Sequence, residues 1–193
     1  MTKENIIIAA LRLFLQRGYE SVSLVDVAKE AGITKGGIYH YFSSKDELLQ
    51  VALNYFLDSF ETRYQALLSS AGSLRDVLRL LFVENAMEVY GRNMLGSDKG
   101  CHIDHIHFAI DIMRRFPVIQ QRIHQYQITL RELLAAKIEQ AAAKGEIRQD
   151  VDVHALAAII VAFMNGRKSL GEGLQQESMS QPVADAFWKM ISC

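Results

Sequence analysis

Two cysteines in 193 residues, Cys101 and Cys193, are too few and too far apart to form a disulfide framework, so a reducing cytoplasm is the expected setting. Proline is equally scarce. Pro117 and Pro182 each stand where a helix could start, so long helices meet little that would break them. Net charge is only −1. Within residues 1–50, Lys3, Arg12, Arg17, Lys29, Lys35 and Lys45 are balanced by Glu4, Glu20, Asp26, Glu30, Asp46 and Glu47. Bulk charge therefore gives no argument for a nucleic-acid partner. No apolar run reaches bilayer length without a charge, and no membrane association is expected. Residues 6–15 come nearest to a signal sequence, but Arg12 interrupts them and no small-x-small cleavage site follows. Ile7, Ala10, Leu11 and Phe14 share one face instead, as in an amphipathic helix. Alternating β-branched runs, internal repeats and low-complexity linkers are missing. So are a nucleotide-binding glycine motif, G-x-S-x-G, H-E-x-x-H and CxxC. A protein that is not an enzyme and carries no cofactor is expected.

What is present is helical. Half the residues are hydrophobic, ample for a core, and the pattern predicts an all-α chain of about nine helices. The richest stretch is S-L-V-D-V-A-K-E-A-G-I-T-K-G-G-I-Y-H-Y-F-S-S-K-D-E-L, residues 23–48. Ser23 can cap a helix with Asp26 at its third position. Leu24, Val27, Ala28 and Ala31 form its apolar face, and Gly32 stands where a left-handed residue ends a helix. Thr34 can cap the next, with Ile38 and Phe42 turned inward together. Ser44 and Glu47 form a further capping pattern. Two glycines inside a short helix cost about 1 kcal/mol each relative to alanine. Close approach of backbone to another molecule is a physical reason to accept that cost. Residues 31–45 contain Lys35, His40 and Lys45 and no acidic residue, the local sign that phosphate requires. Tyrosine hydroxyls can hold such a helix in register.

T-K-G-G-I-Y-H-Y-F-S-S-K-D-E-L closely resembles the recognition segment of the TetR family of transcriptional regulators. V-D-V-A-K-E-A-G-I resembles that family's second helix, and residues 5–16 with R-G-Y-E-S-V-S its first. The resemblance implies a three-helix DNA-binding head over residues 1–47 and a helical ligand-binding and dimerisation bundle over residues 48–193. It implies DNA-backbone contacts from Ser23, Thr34, Tyr39, Tyr41 and Lys45, and base-edge approach by Lys35, Gly36, Gly37 and His40. Family members often carry alanine or a small polar residue where Gly37 stands; glycine has no side chain to read a base there.

Beyond the head, helices are expected over residues 48–70, 73–90, 102–116, 117–144, 153–170 and 182–191, with a loop at R-N-M-L-G-S-D-K-G. Ala155, Ala158, Ile159, Ala162, Phe163 and Gly166 make one helix apolar around much of its girth, as in a core or between subunits. G-E-I-R-Q-D-V-D and A-L-A-A-I-I-V-A-F-M-N-G resemble the family's connector and eighth helix, which implies a homodimer face. A dimer would read half-sites of a pseudo-palindromic double-stranded operator about 34–36 Å apart.

The resemblance further implies a small-molecule effector that releases a repressor from DNA. Candidate pocket residues are Tyr64, Phe82, Met87, Tyr90, His105, Phe108, Met113, Tyr126, Phe163 and Met164, each more readily read as plain core. Arg167 could pair with an anionic ligand, with solvent or with a surface partner. C-H-I-D-H-I-H, residues 101–107, holds metal-ligating side-chain types. On a helix His102 and His105 share a face while His107 points away, leaving Cys101, His102 and His105 as candidates for a metal-responsive regulator. A helical adaptor dimer without DNA readout is the other alternative.

Overall fold

The computed structural model describes residues 3–96, 105–169 and 177–192, with only the backbone given for residues 105–107, 168–169 and 177–178. Those residues are helical throughout apart from connectors and one isolated bridge, Ile147 with Ser192. The helices are α1 (Lys3–Arg17), α2 (Leu24–Glu30), α3 (Lys35–Tyr41), α4 (Lys45–Ser70), α5 (Leu74–Leu78), α6 (Ala86–Leu95), α7 (His105–Arg115), α8 (Pro117–Ala143), α9 (Val153–Ser169) and α10 (Glu177–Ile191). A π-helical turn, Arg79–Val83, follows α5.

Two compact units account for the chain. One takes residues up to Phe60 together with Tyr90–His124. Its core is the buried side of α1 (Ile6, Leu11, Phe14) closed by Val27, Ile38, Phe42, Leu48 and Leu49 from α2 to α4, with Leu95, Phe108 and Ile112 from α6 and α7. The other takes Glu61–Val89 with residues from Gln125 onward. There α10 packs on the π turn, and Phe82 meets Phe163 and Phe187 at ring-centroid distances of 4.8 and 5.7 Å. The units are discontinuous in sequence, and residue 47 falls inside α4.

Four expected spans come out differently. The helix expected over residues 73–90 starts as foreseen: Ser73 caps α5, its Oγ accepting from the Asp76 N–H. It then widens into the π turn and breaks at Asn85, whose φ is 51°. The helix resumes as α6 and runs through Arg92–Leu95, where the sequence predicts a loop, because Leu95 is buried in the first unit's core among residues distant in sequence. The last helix starts at Glu177, and Pro182 lies inside it. Proline removes one backbone bond there, and burial of Ser180 and Ala184 on either side holds the turn in place. The helix expected from residue 48 starts at Lys45, and the ends expected at residues 102 and 170 lie outside the described residues. α8 runs from Pro117 to Ala143, and Gly145, at φ 73°, adopts the left-handed stop.

Candidate nucleic-acid interface

The interface begins with a cap. The Asp26 N–H donates to Ser23 Oγ (3.1 Å), while the Ser23 N–H and hydroxyl donate to Asp26 Oδ2 (2.8 and 2.5 Å). This is a complete capping box, and the serine bonds hold the Asp26 carboxyl below the usual carboxylate range. Leu24, Val27 and Ala28 seat α2 on the core. At its end the Gly32 N–H reaches the Lys29 carbonyl (3.1 Å) and the Ile33 N–H the Ala28 carbonyl (2.9 Å). That bond pair requires a left-handed residue at position 32, where φ is 68°. The turn hands the chain to Thr34, whose Oγ1 accepts from the Gly37 N–H (3.0 Å) and caps α3.

In α3 only Ile38 is buried, and Phe42 follows it into the core. The other side faces outward: Thr34, Lys35, Gly36 and His40 are exposed, as are Tyr39 at 50% and Tyr41 at 40%. Two large aromatics left in solvent on one short helix are the feature a partner surface would cover. His40 and Tyr41 meet edge to face, with centroids 5.4 Å apart. An ammonium, an imidazole and hydroxyls, with no carboxylate in residues 31–45, make a donor surface matched to phosphate oxygens and base edges.

Lys45 has a more specific placement. Its Nζ donates to the Tyr19 carbonyl (3.0 Å) and sits over the Tyr19 ring, 4.1 Å from the centroid. An ammonium carries three N–H groups, so this bond leaves donors for a phosphate while fixing where the ammonium stands. Just before it, Ser44 Oγ accepts from the Glu47 N–H (3.1 Å). The Glu47 carboxylate does not return to Ser44; it accepts from the N–H and hydroxyl of Ser43 (2.8 and 2.6 Å), which depresses its pKa.

Tyr19 was not legible as a site residue. Its hydroxyl donates to Asp46, its ring carries Arg115 at 5.1 Å as well as Lys45, and Phe14 (tilted) and Phe116 (edge-on) pack against it at 5.6 and 5.5 Å. Burial first, then the bond to Asp46, raises its pKa far above the usual phenol value. In the sequence Arg12 only interrupts an apolar run. It donates from Nε to the Leu95 carbonyl (2.7 Å) and from Nη1 to Glu30 (2.8 Å), joining α1 to the ends of α6 and α2. Neither role has a local signal, because the partners lie far along the chain.

The candidate pocket residues fall in both units. Tyr64, Phe82 and Met87 are buried in the second, where Tyr126 bonds Tyr64, and Phe163 and Met164 are half-buried. Tyr90, Phe108 and Met113 belong to the first unit. The structure describes a cleft of about 690 Å³ against the end of α1 and α7, and Phe108 lines it. A second, of about 260 Å³ between Arg75, Arg79 and Trp188, contains none of the candidates. Cys101, His102 and the His105 side chain lie outside the described residues. Among the described residues no group of three or more His, Cys, Asp or Glu could hold a metal ion, and no helix is long and apolar enough to cross a membrane.

Capped helices joined by a left-handed glycine, the second displaying its polar side, define a helix-turn-helix DNA-binding protein. Residues 6–52 match the model of bacterial regulatory proteins of the tetR family, and residues 79–187 that of the tetracyclin repressor-like C-terminal domain. The chain belongs to the TetR family of DNA-binding transcriptional regulators. It is similar to the HTH-type transcriptional regulator YuxN of Bacillus subtilis, 42% identical over 90 residues; that match covers 45% of this chain and only 31% of YuxN. It is 25% identical over 154 residues to the HTH-type transcriptional repressor KstR2 of Mycolicibacterium smegmatis, covering 78% of this chain and 70% of the relative. Its fold is similar to that of the transcriptional regulator FadR from Bacillus subtilis, solved in complex with stearoyl-CoA. The TM-score is 0.67 at 19% identity, over 96% of this chain and 97% of FadR.

Proposed function

We propose that the protein is a homodimeric repressor, acting in the cytoplasm, that binds a pseudo-palindromic operator and leaves it when a small molecule binds. The outward side of α3 carries the reading: Lys35, Tyr39, His40 and Tyr41 stand exposed, with no acidic residue in residues 31–45, on a helix whose opposite side is anchored by Ile38. A single seven-residue helix reads few base pairs, so specificity calls for two copies on half-sites about one helical turn apart. α9 supports a second copy as partner. Leu156, Ala157 and Ile160 are buried within their own unit, while Ala155, Ala158, Ala162 and Ile159, 55% exposed, form an apolar side of small residues facing out. The repressor sense is supported by similarity to KstR2, and the small molecule by similarity in fold to FadR with its acyl-CoA. Release requires the small molecule to favour a spacing of the two heads that misfits DNA.

Selection of bound sequences from a random double-stranded pool at fixed salt tests this. Enrichment of a pseudo-palindrome with half-sites about 10 base pairs apart is expected. No enrichment by protein shown to be folded and dimeric would replace the repressor with an adaptor dimer.

A further inference from the structure

Arg167 and the chain it reaches form an arrangement that DNA reading does not use. In the π turn the Glu84 N–H bonds the Arg79 carbonyl, five residues back, at 3.0 Å. Asn85 then enters the left-handed region at φ 51°. Widened turns and left-handed non-glycine residues persist only where surroundings hold them, and both concentrate at functional sites. Here they are adjacent, and Arg167 supplies the hold. Its Nη1 donates to the Phe82 carbonyl (2.7 Å) and its Nη2 to Asn85 Oδ1.

Both acceptors are neutral, although the guanidinium is half-buried. Burial lowers its pKa, and the charge of Glu88 opposes that only in part. A guanidinium has five N–H groups. The two bonds leave the Nε–H and one N–H on each Nη, from which a carboxylate can take paired bonds. Phe163 and Met164, one turn earlier on α9, are half-buried and share the face of Arg167. Phe163 continues into the Phe82–Phe187 ring cluster.

We propose that Arg167 anchors the charged end of the effector, and that the effector is a carboxylate on an apolar body that packs against Phe163 and Met164. The inference rests on the effector-released repressor reading and names the chemical class of that effector. A carboxylate is a stronger acceptor than an amide or a peptide carbonyl. Bound through the remaining N–H groups, it draws the guanidinium away from Phe82 and Asn85, and loosens the start of α6.

Decanoate and decanol present the same apolar body with and without the charge. Operator binding by the full chain without ligand is measured first, so that failure of the regulator reading appears there. Each compound is then titrated while the unfolding midpoint and operator release are followed. Decanoate should bind more tightly than decanol and release the operator, and Arg167→Gln should weaken decanoate about tenfold or more without changing decanol. Equal binding of the two compounds, or undiminished decanoate affinity in Arg167→Gln, overturns the anchor. Selective decanoate binding without release upholds the anchor and overturns the effector role. If Arg167→Gln does not fold, Arg167→Lys keeps the charge and loses the fork; weaker decanoate binding is expected, and unchanged affinity again overturns the proposal.

Discussion

Gly36 and Gly37 are neighbours on the reading helix with different surroundings. A Cβ at Gly36 would meet nothing within 4 Å, whereas one at Gly37 would stand 3.2 Å from Thr34 Oγ1, the atom that caps the helix. Nothing inside the chain requires glycine at position 36. Gly36→Ala is therefore expected to stabilise the head by about 1 kcal/mol and to weaken operator binding, because the added methyl lies on the exposed side of α3 that is proposed to meet the duplex. Thermal unfolding and fluorescence anisotropy on the same preparations check the two signs. Operator affinity equal to wild type would retire the close-approach role. Lys45 shows where reading single residues stops. The DNA contact expected of it comes from the family resemblance, but its bond to Tyr19, 26 positions away, has no such signal.

At the scale of elements, capping was the most legible feature. Ser23, Thr34, Ser44 and Ser73 all accept from the backbone N–H three residues on, as their sequence contexts predict. Hydrogen bonds from Ser23, Ser43 and Ser73 hold Asp26, Glu47 and Asp76 below the usual carboxylate range. For a depressed carboxylate the stabilisation is complete above the unfolded pKa, about 4, and is lost as pH falls through the folded value. Asp26→Asn should be less stable than wild type at pH 7, and the gap should close as the solution is acidified below about pH 4. Circular dichroism during urea unfolding at several pH values measures it; a gap constant with pH would mean that the carboxylate charge contributes nothing. Element breaks were less legible. The sequence of residues 73–90 is locally acceptable as one helix, and the split at Asn85 coincides with a grip from Arg167, 82 positions away.

For the whole molecule the decisive question is what covers the outer side of α9. Ile159→Arg places a charge on a residue already 55% exposed, so the folded chain should survive while self-association is lost. Sedimentation velocity should then show a folded monomer, and operator binding should fall to its non-specific level. A variant that still sediments as a dimer would move the subunit interface elsewhere. Caps, the glycine turn, the acid-free reading helix and the two-sided apolar α9 depend on residues within a turn or two of each other, so the sequence by itself determined them. The seat of Lys45 on Tyr19, the joint made by Arg12 and the π turn under Arg167 depend on partners as much as 85 positions apart. Local propensity is silent about such pairs, and only the tertiary structure, by half-burying these side chains beside acceptors distant in sequence, decided them.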